Sequence, residues 1–409
     1  MSVAGYLEKL LNGAEIEWMA LENVVELKRG RRLVKSQLES EGKFAVYQNS
    51  MTPLGYYHQS NTNPDTTFII CAGAAGEIGY SSSPFWAADD VYYVASVDLL
   101  NNKFLYHYLL SQKNKILSQV RRASIPRLSK TALDKLYVPV PCPNNSEKSF
   151  AIQSEIVRIL DAFTALTAEL TAELNARQKQ YNYYRDLLLT FDGQSGSRAV
   201  GQVEVKWKML REIGEFIRGK RFTKADYADN GVSVIHYGDI YTKYGISTTQ
   251  ALNRVRADMA SSLRYAQPGD IIITDVGETV EDVGKAVAWL GNNKVAIHDH
   301  CYAFRHTMNP KFVSYYMQTT SFIAEKAKYI ARTKVKTLLV NNYSKIAIPV
   351  PPVEEQDRIV TILDKFDALT NSITVGLPRE IELRQKQYEY YRDMLLSFPQ
   401  PEQDVTTGA

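Results

Sequence analysis

The chain contains itself twice. RQKQYNYYRDLLLTF at 177–191 returns as RQKQYEYYRDMLLSF at 384–398, differing at Asn182/Glu389, Leu187/Met394 and Thr190/Ser397. Upstream, SEIVRILDAFTALT (154–167) matches DRIVTILDKFDALT (357–370), and each copy follows a proline-marked strand end, LYVPVP at 136–141 and IAIPVP at 346–351. Earlier still, WMALENVVELKRGRR (18–32) aligns with WKMLREIGEFIRGKR (207–221). A duplication of this extent constrains the architecture before any single element does. The two copies share their edges and helical ends, while their middles, roughly 45–120 and 230–330, share almost no sequence. One scaffold carries two different inserts.

The shared helical segments are striped. Ile156, Leu160, Phe163, Leu166, Leu170, Leu174, Tyr181, Tyr184 and Leu188 recur at spacings of three and four. The second copy supplies Ile359, Leu363, Phe366, Leu369, Ile373, Ile381, Tyr388, Tyr391 and Leu395. Such spacing predicts helix–helix packing of coiled-coil type. A helix of about 38 residues would be about 57 Å long. Alone it would expose too much apolar surface, so the two are expected to pair antiparallel. Pro352, Glu354 and Glu355 suit the first turn of the second helix. The first helix contains a tandem TAEL at 166–174, whereas the second has Gly376-Leu377-Pro378, where proline breaks or kinks the helix. One TAEL unit adds about 6 Å and about 40° of rotation. It reads either as an adjustable spacer or simply as good helix-forming composition.

Residues 6–11 (YLEKLL) partly copy 184–189 (YRDLLL), and each precedes a similar opening, IEW at 16–18 and VKW at 205–207. This predicts a nearly circular organisation with neighbouring termini and a pseudo-twofold axis. The first copy carries about seven extra residues around 142–150, so the symmetry is imperfect.

Within the inserts, 68–70, 91–94, 232–236, 271–274 and 294–304 read as strands, and 104–120 and 310–329 as helices. The expected fold is mixed α/β (α+β): two globular domains separated by an antiparallel two-helix coiled coil. The expected boundaries are an N-terminal helix at 1–15, a first globule at 16–143 and a first long helix at 150–192. A second globule at 203–350, a second long helix at 352–398 and a flexible tail at 399–409 follow. There is no apolar run of membrane-spanning length and no secretory leader pattern at the N-terminus. Cys71, Cys142 and Cys301 are odd in number and far apart, which argues against a disulfide framework or zinc ribbon and for a reducing cytoplasm. The formal net charge of +3 decides nothing by itself; charge clusters do.

Catalytic motifs fail on inspection. GEFIRGKR (214–221) has the spacing of a phosphate-binding loop, but Arg221 stands where a Ser or Thr would bind magnesium. Gly73, Gly76 and Gly79 precede YSSSPFW, which cannot open a helix, so they read as a turn and not a dinucleotide fingerprint. His298 and His300 in HDHC fall on one face of an expected strand, yet two ligands do not make a metal site. No methyl-transfer tetrapeptide or nuclease constellation is present, and no catalytic residue or metal is assigned.

Binding chemistry remains. Lys28, Arg29, Arg31 and Arg32 in the first copy match Arg218, Lys220 and Arg221 in the second, with Lys224 nearby. A second basic cluster closes each insert: Arg121, Arg122, Arg127 and Lys130, then Arg332, Lys334 and Lys336. Recurrent cations flanking a variable insert suit a phosphate clamp, which fixes register but reads no sequence; the alternative is a solvated face. Between them lie polar and aromatic loops able to reach base edges. These carry Gln48, Asn49, Tyr57, His58 and Gln59, then His236, Tyr237, Asp239, Tyr241, Lys243, Thr274, His298 and His300.

The doubled RQKQY-x-YYRD-x-LL, the IVxILDxF helices, the tandem TAEL and the W-containing openings resemble the specificity subunit (HsdS) of type I restriction–modification systems, and the TAEL resembles its IC subfamily. The resemblance implies two target-recognition domains, each reading one half of a bipartite site in double-stranded DNA. It implies two modification (HsdM) subunits carrying S-adenosylmethionine, and restriction (HsdR) subunits using ATP and Mg. This chain itself would then hold no cofactor, catalyse nothing and meet no membrane. A rival reading is a coiled-coil scaffold whose globules bind proteins and touch no DNA.

Overall fold

The computed structural model describes residues 3–191, 205–331, 336–372 and 374–399. Arg332, Lys334, Ile373 and almost all of the expected 399–409 tail lie outside these. The chain divides into two compact units, one of residues 1–170 and 381–409, the other of 171–380.

The first unit begins with helix α1 (Val3–Leu11) and strands β1 (Ile16–Ala20), β2 (Val25–Arg29), β3 (Thr66–Ile70), β4 (Ile78–Ser81) and β5 (Val91–Val97). Helix α2 (Asn102–Ser111), strand β6 (Tyr137–Pro141) and the long helix α3 (Ser146–Leu188) follow. The stretch read as one helix over 104–120 breaks at Gln112, and a second short helix occupies Lys113–Ser118. The central sheet runs β2-β5-β3-β4, and β1 pairs separately with β6. Strand β3 reads TTFII and is buried at every position, because it lies inside the sheet with both faces covered.

The second unit contains β7 (Lys206–Met209), β8 (Gly214–Arg218), β9 (Ile271–Thr274), β10 (Ala286–Trp289) and β11 (Cys301–His306). It continues through α4 (Pro310–Tyr316), β12 (Ala347–Val350), α5 (Val353–Asn371) and α6 (Leu377–Leu395). Its sheet runs β8-β11-β9-β10, with Ser247–Thr248 added at the edge, and β7 pairs with β12. Strand for strand this is the order of the first unit. The inserts that share almost no sequence therefore share a topology.

Each unit closes on helical segments from both copies of the repeat. In the first, Phe163 of α3 stacks on Tyr391 of α6 with centroids 4.9 Å apart. In the second, Phe366 of α5 stacks on Tyr184 of α3 at 5.5 Å. Phe163 and Phe366 are repeat equivalents, as are Tyr391 and Tyr184, so the same pairing is made twice with the copies exchanged. Leu7 and Leu11 of α1 share the first unit's core with Leu395, Leu396 and Phe398. Between α5 and α6 the chain turns at Gly376, whose φ of 102° suits glycine and whose added Cβ would lie 2.3 Å from the Ala368 carbonyl oxygen.

Each globule is fastened to its helix by the same polar latch. Asn101 caps α2, Asn309 caps α4, and their backbone N–H groups donate to buried Gln153 Oε1 (2.6 Å) and Gln356 Oε1 (2.8 Å). Two residues on from each cap, Lys103 pairs with Asp161 and Lys311 with Asp364, both at 2.7 Å. Among the described residues no helix is long and apolar enough to cross a membrane.

Candidate nucleic-acid interface

The cationic segments 28–32 and 217–221 are built identically. Strand β2 ends at Arg29, whose Nε donates to the Asp89 carbonyl at 2.6 Å; Arg218 Nε donates to the Asp299 carbonyl at 3.0 Å. Next, Gly30 N–H donates to Val91 O and Arg31 N–H to Ala87 O, as Gly219 donates to Cys301 O and Lys220 to Ile297 O. The arm thus lies on the main chain of the turn before β5 or β11. Only glycine fits: an added Cβ would come within 2.2 Å of the Ala88 oxygen at Gly30 and 2.1 Å of the His298 oxygen at Gly219. These glycines seat an arm. One arginine per arm is partly spent on holding it, and the rest of the arm stands out. Arg31, Arg32, Lys220 and Arg221 are exposed and make no ion pair among the described residues. Lys28 pairs with Glu26 at 3.0 Å on the exposed face.

The strand pairs that carry the described members of the second basic clusters are anchored alike. Arg121 and Arg127 exchange backbone hydrogen bonds, and Leu128 N–H donates to Cys71 O, adding a basic hairpin beside the end of β3. In the second unit Ile330–Ala331 pairs with Lys336–Leu338, and Leu338 N–H donates to Asp275 O beyond the end of β9. Arg121, Arg122 and Arg127 are exposed and unpaired among the described residues, whereas Lys130 closes on Asp134 at 2.8 Å. Lys336 Nζ donates to the Glu278 carbonyl. Burial pushes the Cys71 thiol up to about 11, and Arg29 and Arg127 both pull it back, so cations from arm and hairpin converge on this sheet end.

In the first unit the loop 48–49 borders that spot. Asn49 O accepts from Ala74 N–H, Gly73 N–H donates to Pro126 O, and Gln48 is half-buried. Tyr57 packs edge-on against Trp86 at 5.1 Å, and Trp86 Nε1 donates to the Arg31 carbonyl, tying the aromatic pair to the arm. His58 faces Glu39 at 3.2 Å, and Gln59 is exposed.

The second unit builds a cluster of rings there. His236 lies 4.5 Å from His298 and 4.3 Å from Tyr237, and Tyr237 lies 5.4 Å from His300. His298 and His300 belong to the turn between Val295–Ile297 and β11, not to one strand face, because the chain bends over the glycine seat. Among the described residues no three His, Cys, Asp or Glu side chains are arranged to hold a metal. His298 is buried, Nε2 donates to the Phe222 carbonyl at 3.2 Å, and burial lowers its pKa to about 4 despite Asp299 beside it. Thr274, by contrast, is fully buried and donates to the Asp282 carbonyl, which takes it off any contact surface. Tyr241 donates to the Val276 carbonyl, and Asp239 accepts from Asn253 at 2.9 Å. Lys224 and Lys243 are exposed.

Sequence reasoning missed Asp275. It sits one residue beyond β9, side chain 6 % exposed, accepting from Arg218 Nη2 at 3.3 Å and facing His300 Nδ1 at 3.0 Å. Its partners are 57 and 25 residues away, so no local pattern marked it.

The domain described as the Type I restriction modification DNA specificity domain matches residues 14–179 and again residues 202–383. The EcoR124I/EcoR124II type I restriction enzyme specificity subunit of Escherichia coli is 36% identical, over 98% of this chain and 99% of its own. A putative type I specificity subunit of Haemophilus influenzae, S.HindORF215P, is 34% identical over 96% and 98%. A crystal structure of a type I restriction–modification S subunit from M. genitalium superposes with a TM-score of 0.56 at 18% identity, covering 95% of this chain and 98% of that one. At that identity the likeness concerns the fold.

Proposed function

This chain belongs to the type I restriction–modification DNA specificity family, and on that premise we propose that it recognises a bipartite duplex and assembles the subunits that act on it. The observation that carries the reading is the duplicated arm. Two equivalent glycine-seated cationic segments, the first beside a hairpin carrying Arg121 and Arg127 and the second beside the paired strands that carry Lys336, border reading surfaces of unlike chemistry. Phosphate contacts of that kind set register, while loops that differ between the units supply different base contacts. The two half-sites are then different sequences. S-adenosylmethionine, ATP and Mg belong in this reading to partner subunits, and this chain contributes no catalytic group. The tandem TAEL inside α3 acts as a spacer: a third copy adds about 6 Å of helix and lengthens the unread gap by about one or two base pairs.

Each unit also carries an aromatic notch where the shared opening of the repeat meets a helix of its insert. Trp18 meets Tyr108 edge-on at 6.4 Å, and Trp207 meets Tyr316 at 6.5 Å. In the first unit Trp18 and Tyr108 line a groove of about 670 Å³ with Tyr137, Asp393 and Phe398. Because the notch recurs in both units, it suits two copies of one partner, the modification subunit, better than two unlike half-sites.

The test is a footprint of the chain assembled with its modification subunit. Two protected segments separated by an unread gap, with affinity falling steeply as salt rises, are expected. A single uninterrupted footprint, or salt-independent retention of protein partners without DNA, would favour the scaffold reading instead.

A further inference from the structure

We propose that Asp275 is a positioning residue that locks Arg218 and His300 into one preorganised reading pair for a single base pair of the half-site read by the second unit. This rests on the DNA-recognition reading above. Thr274 pairs with Cys301 in the sheet, so the next residues outward, Asp275 and His300, face each other, and Asp275 N–H donates to His300 O. One carboxylate oxygen then meets His300 Nδ1 and the other Arg218 Nη2, while Arg218 Nε is held by the Asp299 carbonyl. Both held side chains remain open to solvent, at 40 % and 52 % exposure.

The same fold does not need this carboxylate. The equivalent place in the first unit is Cys71, whose N–H donates to Asp90 O as that of Asp275 donates to His300 O, and whose carbonyl accepts from Leu128 as that of Asp275 accepts from Leu338. A buried carboxylate is costly unless it is paired, and here its pairs are two exposed side chains of a cationic surface. The arrangement therefore serves what lies outside the protein.

Its chemistry follows from the hydrogen bonds. With a carboxylate at Nδ1, the neutral imidazole carries its proton there and presents Nε2 as an acceptor. Arg218 presents only donors. A donor beside an acceptor matches a major-groove edge where a purine N7 or O6 lies next to an exocyclic amino group, N6 of adenine or N4 of the paired cytosine. Asp275 meets His300 at Nδ1, the Tyr237 and His298 rings pack beside it, and Asp299 is adjacent in the turn.

The experiment uses the chain assembled with its modification subunit. Mapping methylated bases in host DNA gives the wild-type motif, and a panel of duplexes changed one base pair at a time then measures discrimination at every position. Asp275→Cys, the residue type the first unit tolerates, is compared with His300→Asn and Arg218→Lys. All three are expected to relax discrimination about 5- to 150-fold at the same base pair of one half-site, leaving the other half-site unchanged. Equal loss at all positions, loss in both half-sites, or full retention in Arg218→Lys and His300→Asn overturns the proposal. If the wild-type assembly gives no bipartite motif at all, the functional reading fails first.

Discussion

The Tyr388 hydroxyl donates to His107 Nδ1 at 2.9 Å, and His107 Nε2 faces Asp161 at 3.1 Å. A fully buried imidazole thus joins α6, α2 and α3 in the first unit. Burial lowers its pKa, so it stays neutral and can accept from Tyr388 while donating to Asp161. At the equivalent place in the second unit Tyr315 donates directly to Asp364 at 2.8 Å, and the buried Tyr181 hydroxyl has no partner among the described residues. Tyr388→Phe leaves a buried acceptor unmatched and should cost about 1–3 kcal/mol, whereas Tyr181→Phe should be neutral or stabilising. Urea unfolding of the two variants tests the difference; equal losses would contradict it.

The latch glutamines make a second prediction. Gln153 accepts from Asn101 N–H and donates to Leu99 O and Ser149 Oγ, all while fully buried. Gln356 accepts from Asn309 N–H and donates to Pro351 O. Replacing either by leucine strands several buried partners and should destabilise the unit concerned by about 1–3 kcal/mol. Hydrogen exchange localises the effect: Gln153→Leu should loosen α2, and Gln356→Leu should loosen α4.

Acid should act unequally on the two units. Burial holds His298 and His306 down to about 4, and lowers His236, in the second unit; only His107 is so placed in the first. An unfolded histidine titrates near 6.5. Between pH 6.5 and about 4 the unfolded chain therefore binds protons that the folded one refuses. The stability conferred by neutral burial is complete above pH 6.5 and is lost as pH falls through that window. Limited proteolysis across it should cut 171–380 before the rest. His306→Asn keeps an acceptor for Met308 N–H, which His306 Nδ1 now provides at 3.1 Å. It removes one titration and should flatten the acid limb by up to about 1.4 kcal/mol per pH unit.

The glycine seats predict matched defects. Gly30→Ala and Gly219→Ala each drive a methyl into main-chain carbonyls and should lift the arm off its turn, at about 1–3 kcal/mol of overpacking. DNA affinity of the assembled complex should fall and its salt dependence become shallower, since fewer phosphates are met. Unchanged salt slopes would show that the arms do not contact phosphate.

How much of this was legible in sequence depends on what kind of pattern carried it. The repeat at 177–191 and 384–398 announced the helices because packed helical faces keep residue identity at fixed spacing. The shared sheet order was hidden because a buried strand asks only for apolar, β-branched residues: TTFII in β3 and IIIT in β9 do the same work without aligning convincingly. A thin signal did exist in Asn101-x-Lys103-Phe104 and Asn309-x-Lys311-Phe312, the latch that both inserts retain. Asp275 had no such signal, since its meaning arises only where two strands end side by side. Thr274 shows the converse: a polar residue in a loop-like stretch that the sheet takes inside.

The rest of Gly30 and Gly219 on backbone oxygens has one more consequence. A socket that touches only peptide groups is indifferent to which side chains the neighbouring loops display. Loops of quite different sequence can therefore stand beside the same socket, as they do in the two units, without unseating the arm.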